Sequence, residues 1–189
     1  MKLIIMLKLF NKLIQNMTIV KAYAALNANS KLAPSSLDQR ALTEHDVLID
    51  ILYCGVCHSD IHQARNEWGG SMFPMVPGHE IIGRVTKIGS DVKNHNVGDV
   101  VGIGCMASSC KTCHTCQDNE EQFCADLLWT YNSFEKTSDR QTFGGYANEI
   151  VINQDFVLSI GSNLQKDLAR TAPLLCAGIT TYSPLKQWG

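Results

Sequence analysis

The chain has 189 residues, 45% hydrophobic and 18% charged, with a formal net charge of -2. This is enough apolar material to bury one domain core and part of another, and too much for a disordered chain. The near-neutral balance, without a Lys/Arg cluster, leaves no electrostatic footprint for a nucleic-acid partner.

Residues 1–17 read as an N-terminal extension or a misassigned start, with Met17 as an alternative first residue. Lys2, Lys8 and Lys12 limit the apolar run to "LIIML", too short to span a membrane. Ala22-Tyr23-Ala24 faintly resembles a cleavage site, but the lysines interrupt any hydrophobic signal region. Leu3, Leu7, Phe10, Leu13 and Ile14 would instead share one face of a short amphipathic helix. The expectation is a cytoplasmic protein without a membrane partner.

"TIVKAYAAL" predicts a first strand. "HDVLIDILYCGV" alternates Val47, Ile49, Ile51 and Tyr53 on one face, a half-buried strand. "SDIHQARNEW" predicts a helix capped by Ser59 or Asp60. "GHEIIGRVTKIG" and "VGDVVGIG" predict further strands broken by glycine turns. Residues 107–132 have no periodicity. "YANEIVINQDFVLSI" returns to strand pattern, and from Leu164 the chain reads as helical. The expected fold is a β-rich α+β domain over 18–160, followed by a helical segment over 161–189.

Eight cysteines could suggest disulfides, but six crowd into "CGVC" and "CKTCHTCQDNEEQFC", which suits metal ligation in a reducing compartment. Cys110, Cys113, Cys116 and Cys124 follow C-x-x-C-x-x-C-x7-C. Four thiolates at this spacing can close tetrahedrally around a structural zinc, whose binding would hold a loop that buries little by itself. An iron–sulfur run of the bacterial ferredoxin type needs three residues before its last cysteine and a proline after it. His114 is expected to face solvent.

"CGVCH" and "CKTCH" also fit C-x-x-C-H, the haem-attachment pattern, so a dihaem cytochrome is a competing reading. It leaves Cys116 unexplained and requires export. A free-standing zinc-binding interaction module is a third reading. "GIGCMA", from Gly102 to Ala107, matches G-x-G-x-x-G/A after a strand. No helix is expected to follow it, so it is not read as a dinucleotide site.

"YCGVCHSDIHQ", "PGHEIIGRV" and "LLCAGITTYSPLK" together resemble the zinc-dependent alcohol dehydrogenases of the medium-chain dehydrogenase/reductase superfamily. The wording is most similar to the cinnamyl-alcohol-dehydrogenase group of NADP-dependent aldehyde reductases. The resemblance runs from about Thr18 to Gly189 and implies a GroES-like catalytic domain with a zinc-binding lobe. The family's Rossmann nucleotide-binding half would begin where this chain ends.

The resemblance further implies two zinc ions, the catalytic one held by Cys57, His79 and Cys176, with NADP or NAD as cofactor of the full-length protein. It implies that Ser59 and His62 relay a proton, that Asp60 orients the metal-binding histidine, and that Glu80 can approach the metal. His58 and Thr180 would contact the cofactor, while Trp68 and Cys105 would line the pocket for a small alcohol or aldehyde. Cys54 would be a small buried residue. A full-length form would be a homo-oligomer. The 189-residue chain by itself is expected to hold zinc but neither bind NAD(P)H tightly nor turn over.

Overall fold

The computed structural model describes residues 19–135 and 139–189. The amphipathic helix expected before Met17, and the choice of start, lie outside the described residues.

The first strand forms where alternation placed it. β1 (Ile19–Ala24) turns Val20, Ala22 and Ala24 inward and Ile19, Lys21 and Tyr23 outward. It pairs antiparallel with β2 (Ala33–Asp38). The sequence "APSSLD" lacks an apolar alternation that would announce a strand; its pairing with β1 defines it.

The main sheet is five-stranded and antiparallel, in the order β10-β3-β4-β5-β11. Its members are β3 (Asp46–Cys54), β4 (Ile81–Ile88), β5 (Val100–Ile103), β10 (Glu149–Asn153) and β11 (Leu158–Ser159). Val47, Ile49, Ile81, Val85, Val101, Ile103, Ile150 and Ile152 form its core. Ile82, on the opposite face of β4, packs against Ile160 and Ala172, so β4 is covered on both sides. Tyr53 departs from the predicted inward face and is 46% exposed. The β3–β4 register shifts between Ile51 and Tyr53, and such a bulge breaks the alternation at that point.

The irregular stretch contains β6 (Met106–Ser108), α2 (His114–Gln117), β7 (Leu128–Trp129), β8 (Phe134–Glu135) and β9 (Arg140–Gln141). The C-terminal segment is helical as expected, but broken. A 3-10 turn (Leu164–Asp167) precedes α3 (Leu168–Thr171), a second 3-10 turn (Ala172–Leu175) contains Pro173, and α4 spans Ala177–Trp188. Proline lacks the N–H needed to continue an α-helical ladder. Among the described residues, no helix is long and apolar enough to cross a membrane.

One buried charge ties the loop between β2 and β3 to the sheet. Asp46 accepts bonds from both terminal guanidinium nitrogens of Arg40 (2.5 and 2.8 Å) and from the amide and hydroxyl of Thr43 (2.8 and 2.5 Å). Burial by itself would raise its pKa; these donors outweigh burial and hold it below the ordinary value of 3.8. The stability it adds is complete above the unfolded-state pKa and is lost as pH falls through the lower folded value. Asp46→Ala should therefore destabilise the domain at neutral pH by about 3–5 kcal/mol, the range for breaking a buried pair. The difference from the parent should shrink towards pH 2 in denaturant titrations. A pH-independent difference would contradict this account.

Candidate metal centres and active site

The β3–β4 register pairs Cys54 with Ile81. The residues leaving β3 and those entering β4 therefore meet at one edge of the sheet. Cys57 follows that exit and caps α1 (His58–Ala64), while His79 and Glu80 precede β4. The predicted cap was Ser59 or Asp60, and the structure corrects this. The Cys57 thiol accepts the Ser59 amide at 3.5 Å, and Asp60, in the first turn, reaches back to the Cys57 amide at 2.9 Å. Cysteine is not among the favoured cap residues, which is why local pattern missed it. The helix also ends earlier than predicted, with Asn66 at φ 54°, leaving Trp68 on the turn beyond.

Asp60 is buried and saturated with donors. Its Oδ1 accepts from the Gly78 amide (2.9 Å) and His79 Nδ1 (3.1 Å). Its Oδ2 accepts from the Cys57 amide and the Tyr146 hydroxyl (3.2 Å). Burial would raise the Asp60 pKa, but His79 and the two amides outweigh it and lower it. Burial likewise would lower the His79 pKa, yet the Asp60 carboxylate holds it above the usual histidine value. With Nδ1 committed to Asp60, His79 presents Nε2 as its free ligand atom. Gly78 has φ 107°, and a Cβ there would fall 2.8 Å from both the Cys54 sulfur and the Tyr146 ring. Only glycine fits this turn.

Cys176, at the start of α4, completes the cluster. Its sulfur lies 3.9 Å from that of Cys57, far beyond a disulfide bond. Ligand atoms of Cys57, His79, Glu80 and Cys176 all lie within 4.8 Å of one another. Glu80 Oε2 is buried without a hydrogen-bond partner, and burial raises the pKa of this carboxyl. Burial and the neighbouring thiols push Cys176 up to about 12. Two sulfurs and an imidazole, with the Glu80 carboxylate beside them, form a donor set that fits a divalent zinc ion.

The second cluster is Cys110, Cys113, Cys116 and Cys124. Sulfur separations of 3.9 Å (Cys110–Cys116) and 3.5 Å (Cys113–Cys116) lie close to the edge of a zinc–thiolate tetrahedron, about 3.8 Å. Backbone amides point at the sulfurs: Cys113 N donates to Cys110 (3.3 Å) and Cys110 N to Cys124 (3.4 Å). Amides of Thr112 and Cys113 bring Cys110 down to about 6, so this thiol favours the ligating thiolate. Lys111, bonded to Asn153 (2.9 Å) and paired with Asp155, fastens the lobe to the end of β10. His114 faces solvent and pairs with Asp118 at 3.0 Å.

A pocket of about 430 Å³ opens over the first cluster. Ser59, His79, Cys105 and Cys176 lie at its base, and Trp68, Trp129 and Tyr131 form aromatic walls. Gln63 accepts a bond from Asn132 (2.8 Å), which joins α1 to the far wall. Burial raises the Cys105 thiol pKa.

The alcohol dehydrogenase GroES-like domain family matches residues 43–162. The chain belongs to that family. Within it, the chain falls in the cinnamyl-alcohol-dehydrogenase-like group of zinc-dependent medium-chain alcohol dehydrogenases. It is 48% identical to the aldehyde reductase YahK of Escherichia coli over 169 residues, 89% of this chain and 48% of the relative. It is 52% identical to the probable formaldehyde dehydrogenase AdhA of Bacillus subtilis, covering 86% of this chain and 46% of that protein. The crystal structure of the Helicobacter pylori cinnamyl alcohol dehydrogenase complexed with NADP(H) superposes with a TM-score of 0.86 at 44% identity, over 90% of this chain and 49% of that one. The chain thus spans about half the length of the relatives it matches.

In this alcohol dehydrogenase domain the residues implied by resemblance do not all converge. His62 pairs with Glu67 through Nδ1 and stacks between His58 (4.9 Å) and Trp68 (4.8 Å). No direct hydrogen bond joins it to Ser59 among the described residues. His58 is exposed, and Thr180 lies exposed on α4. "GIGCMA" runs from β5 into β6 with no helix following, so that glycine pattern has no anion-binding helix end. The two cysteines of "CGVCH" have different surroundings, Cys54 packing on the core and Cys57 joining the metal cluster. Sequence reasoning missed Tyr146, Tyr131, Trp129 and Gln63. A lone aromatic or amide carries no local signature of a pocket.

Proposed function

We propose that this chain is the metal-binding catalytic part of an NADP-linked, zinc-dependent aldehyde reductase acting on flat or aromatic aldehydes. The observation that carries the reading is the convergence of Cys57, His79, Glu80 and Cys176 beneath an aromatic-walled pocket. Cys57, His79 and Cys176 would hold a catalytic zinc, and Cys110, Cys113, Cys116 and Cys124 a structural one. When bound, the catalytic ion supplies Lewis-acid polarisation of the carbonyl.

The protein's own groups do the rest. Asp60 fixes the ring of His79 and keeps its ligating nitrogen aimed inward. Ser59, whose hydroxyl lies 3.5 Å from the Cys57 sulfur, would exchange a proton with the substrate oxygen. Trp68 and Trp129 offer flat apolar surface to an aromatic ring and exclude water from one side of it. NADP enters the proposal from the relatives, one of which is described in complex with NADP(H). His58 and Thr180 would approach that cofactor.

Metal analysis of the purified chain should give two zinc ions, and Cys57→Ser should leave one. An NADPH titration should show no saturable binding, because the described residues include no glycine-rich turn leading into a helix N-terminus. Recovery of iron, or a Soret band, would overturn the zinc reading. Saturable NADPH binding with reduction of benzaldehyde by this chain would overturn the expectation that these residues by themselves cannot hold the cofactor.

His62 is proposed as the outer group of the proton path, since it is half-buried beside the pocket and carries a carboxylate partner. In a form of the enzyme that turns over, His62→Gln should lower kcat by about 10²-fold. The loss should be largest at low pH, with metal content unchanged. An unaltered pH–rate profile would reduce His62 to a packing role.

A further inference from the structure

Glu80 is buried, yet its Oε2 has no hydrogen-bond partner. On one side the carboxylate lies within 4.8 Å of the ligand atoms of Cys57, His79 and Cys176. On the other side is the bare Cα of Gly55. A Cβ at Gly55 would stand 1.9 Å from Glu80 Oε2, and 3.0 Å from both the Cβ and Cδ of Glu80. The Gly55 amide donates to the Glu80 carbonyl at 2.9 Å, which holds the two backbones side by side. Gly55 does not have a left-handed φ, so its backbone could accommodate any residue. Glycine is needed here for space alone.

We infer that Gly55 is a positioning residue: it supplies the seat into which the Glu80 carboxylate withdraws, so that three protein ligands rather than four face a bound ion. The inference rests on the reading that a metal ion is held by Cys57, His79 and Cys176. A site that keeps a place for substrate needs three protein ligands, and a fourth closes it. Three of the four candidate ligands have their other contacts set by helix capping, by Asp60 or by a neighbouring thiol. Glu80 Oε2 has none, so its position is decided by room. A methyl at position 55 takes that room away, and an oxygen turned out of it would move towards the ligand atoms of Cys57, His79 and Cys176, which lie within 4.8 Å.

The test uses the 189-residue chain loaded with cobalt(II) in place of zinc, with imidazole as the added ligand and visible absorption as the readout. The parent chain should take up two cobalt ions, and its spectrum should change saturably with imidazole. Gly55→Ala should still bind two ions, respond to imidazole with at least about tenfold weaker affinity, and release the ion more slowly to a chelator. Glu80→Asp, one methylene shorter, should restore the imidazole response in the Gly55→Ala background. If Gly55→Ala does not fold, recovery of both fold and imidazole response by the double variant supports the same pairing. Imidazole affinity unchanged in Gly55→Ala, or a double variant as defective as the single one, overturns the inference. Uptake of only one cobalt by the parent chain would instead overturn the metal reading beneath it.

Discussion

Cys113→Ser should release one of the two metal ions and unfold the lobe around residues 110–124 while the sheet survives. The lobe has little else to hold it: Phe123 is 68% exposed, and its buried side chains include the ligands Cys116 and Cys124 themselves. Structural zinc contributes on the order of 10 kcal/mol or more to folding at neutral pH, far beyond what α2 or the Lys111–Asp155 pair could replace. Serine keeps the size of the side chain but is a poor zinc ligand, so the loss is chemical rather than steric. Hydrogen exchange should show protection lost across the lobe, with amides of β3, β4 and β5 still protected. Two metals retained, with protection unchanged in the lobe, would show that these four sulfurs do not hold an ion.

The second large effect is expected at Asp60. Asn is nearly isosteric, but Asp60 uses both oxygens as acceptors for four donors. In Asp60→Asn one oxygen becomes an NH2 facing two donors, and the buried partner of His79 loses its charge. The expected cost is about 3–5 kcal/mol of stability, as for other buried pairs broken on one side. Affinity for the ion at Cys57, His79 and Cys176 should fall about 10- to 100-fold. The Asp60 pKa is lowered in the folded state, so its contribution is complete above 3.8 and fades as pH falls through the folded value. The stability difference between parent and variant should therefore narrow in acid. The lobe's metal should stay bound throughout, and loss of both ions together would point to general unfolding instead. Tyr146→Phe, which removes one of the four donors, should have a smaller effect in the same direction, about 1 kcal/mol.

Features that depend on near neighbours are legible in the order of the residues. Val47 and Ile49 alternate inward because successive side chains of a strand point to opposite faces. The four lobe cysteines fall within fifteen residues, a distance over which a short loop can close on one ion whatever the rest of the fold does. Even the resemblance that named the family rests on short strings, and each string is a local turn or cap around a ligand.

Contacts between residues far apart in the chain depend on the assembled fold. Cys57 and Cys176 are separated by 119 positions and meet because the C-terminal 3-10 turns pack over the outer face of β4. His79 reaches them because the β3–β4 register aligns Cys54 with Ile81, a choice that a slip of one residue would reverse. Tyr146 finds Asp60 because residues 144–146 run back along 76–78 through backbone bonds. The cap of α1 falls on Cys57 rather than Ser59 because the same carboxylate that orients His79 also holds the Cys57 amide. The seat at Gly55 was equally invisible: a glycine in a sequence reads as a turn, and here its meaning is the absence of one carbon atom beside Glu80. Alternation and spacing act over a few residues, while burial, close approach and shared hydrogen bonds exist only once distant segments have been brought together.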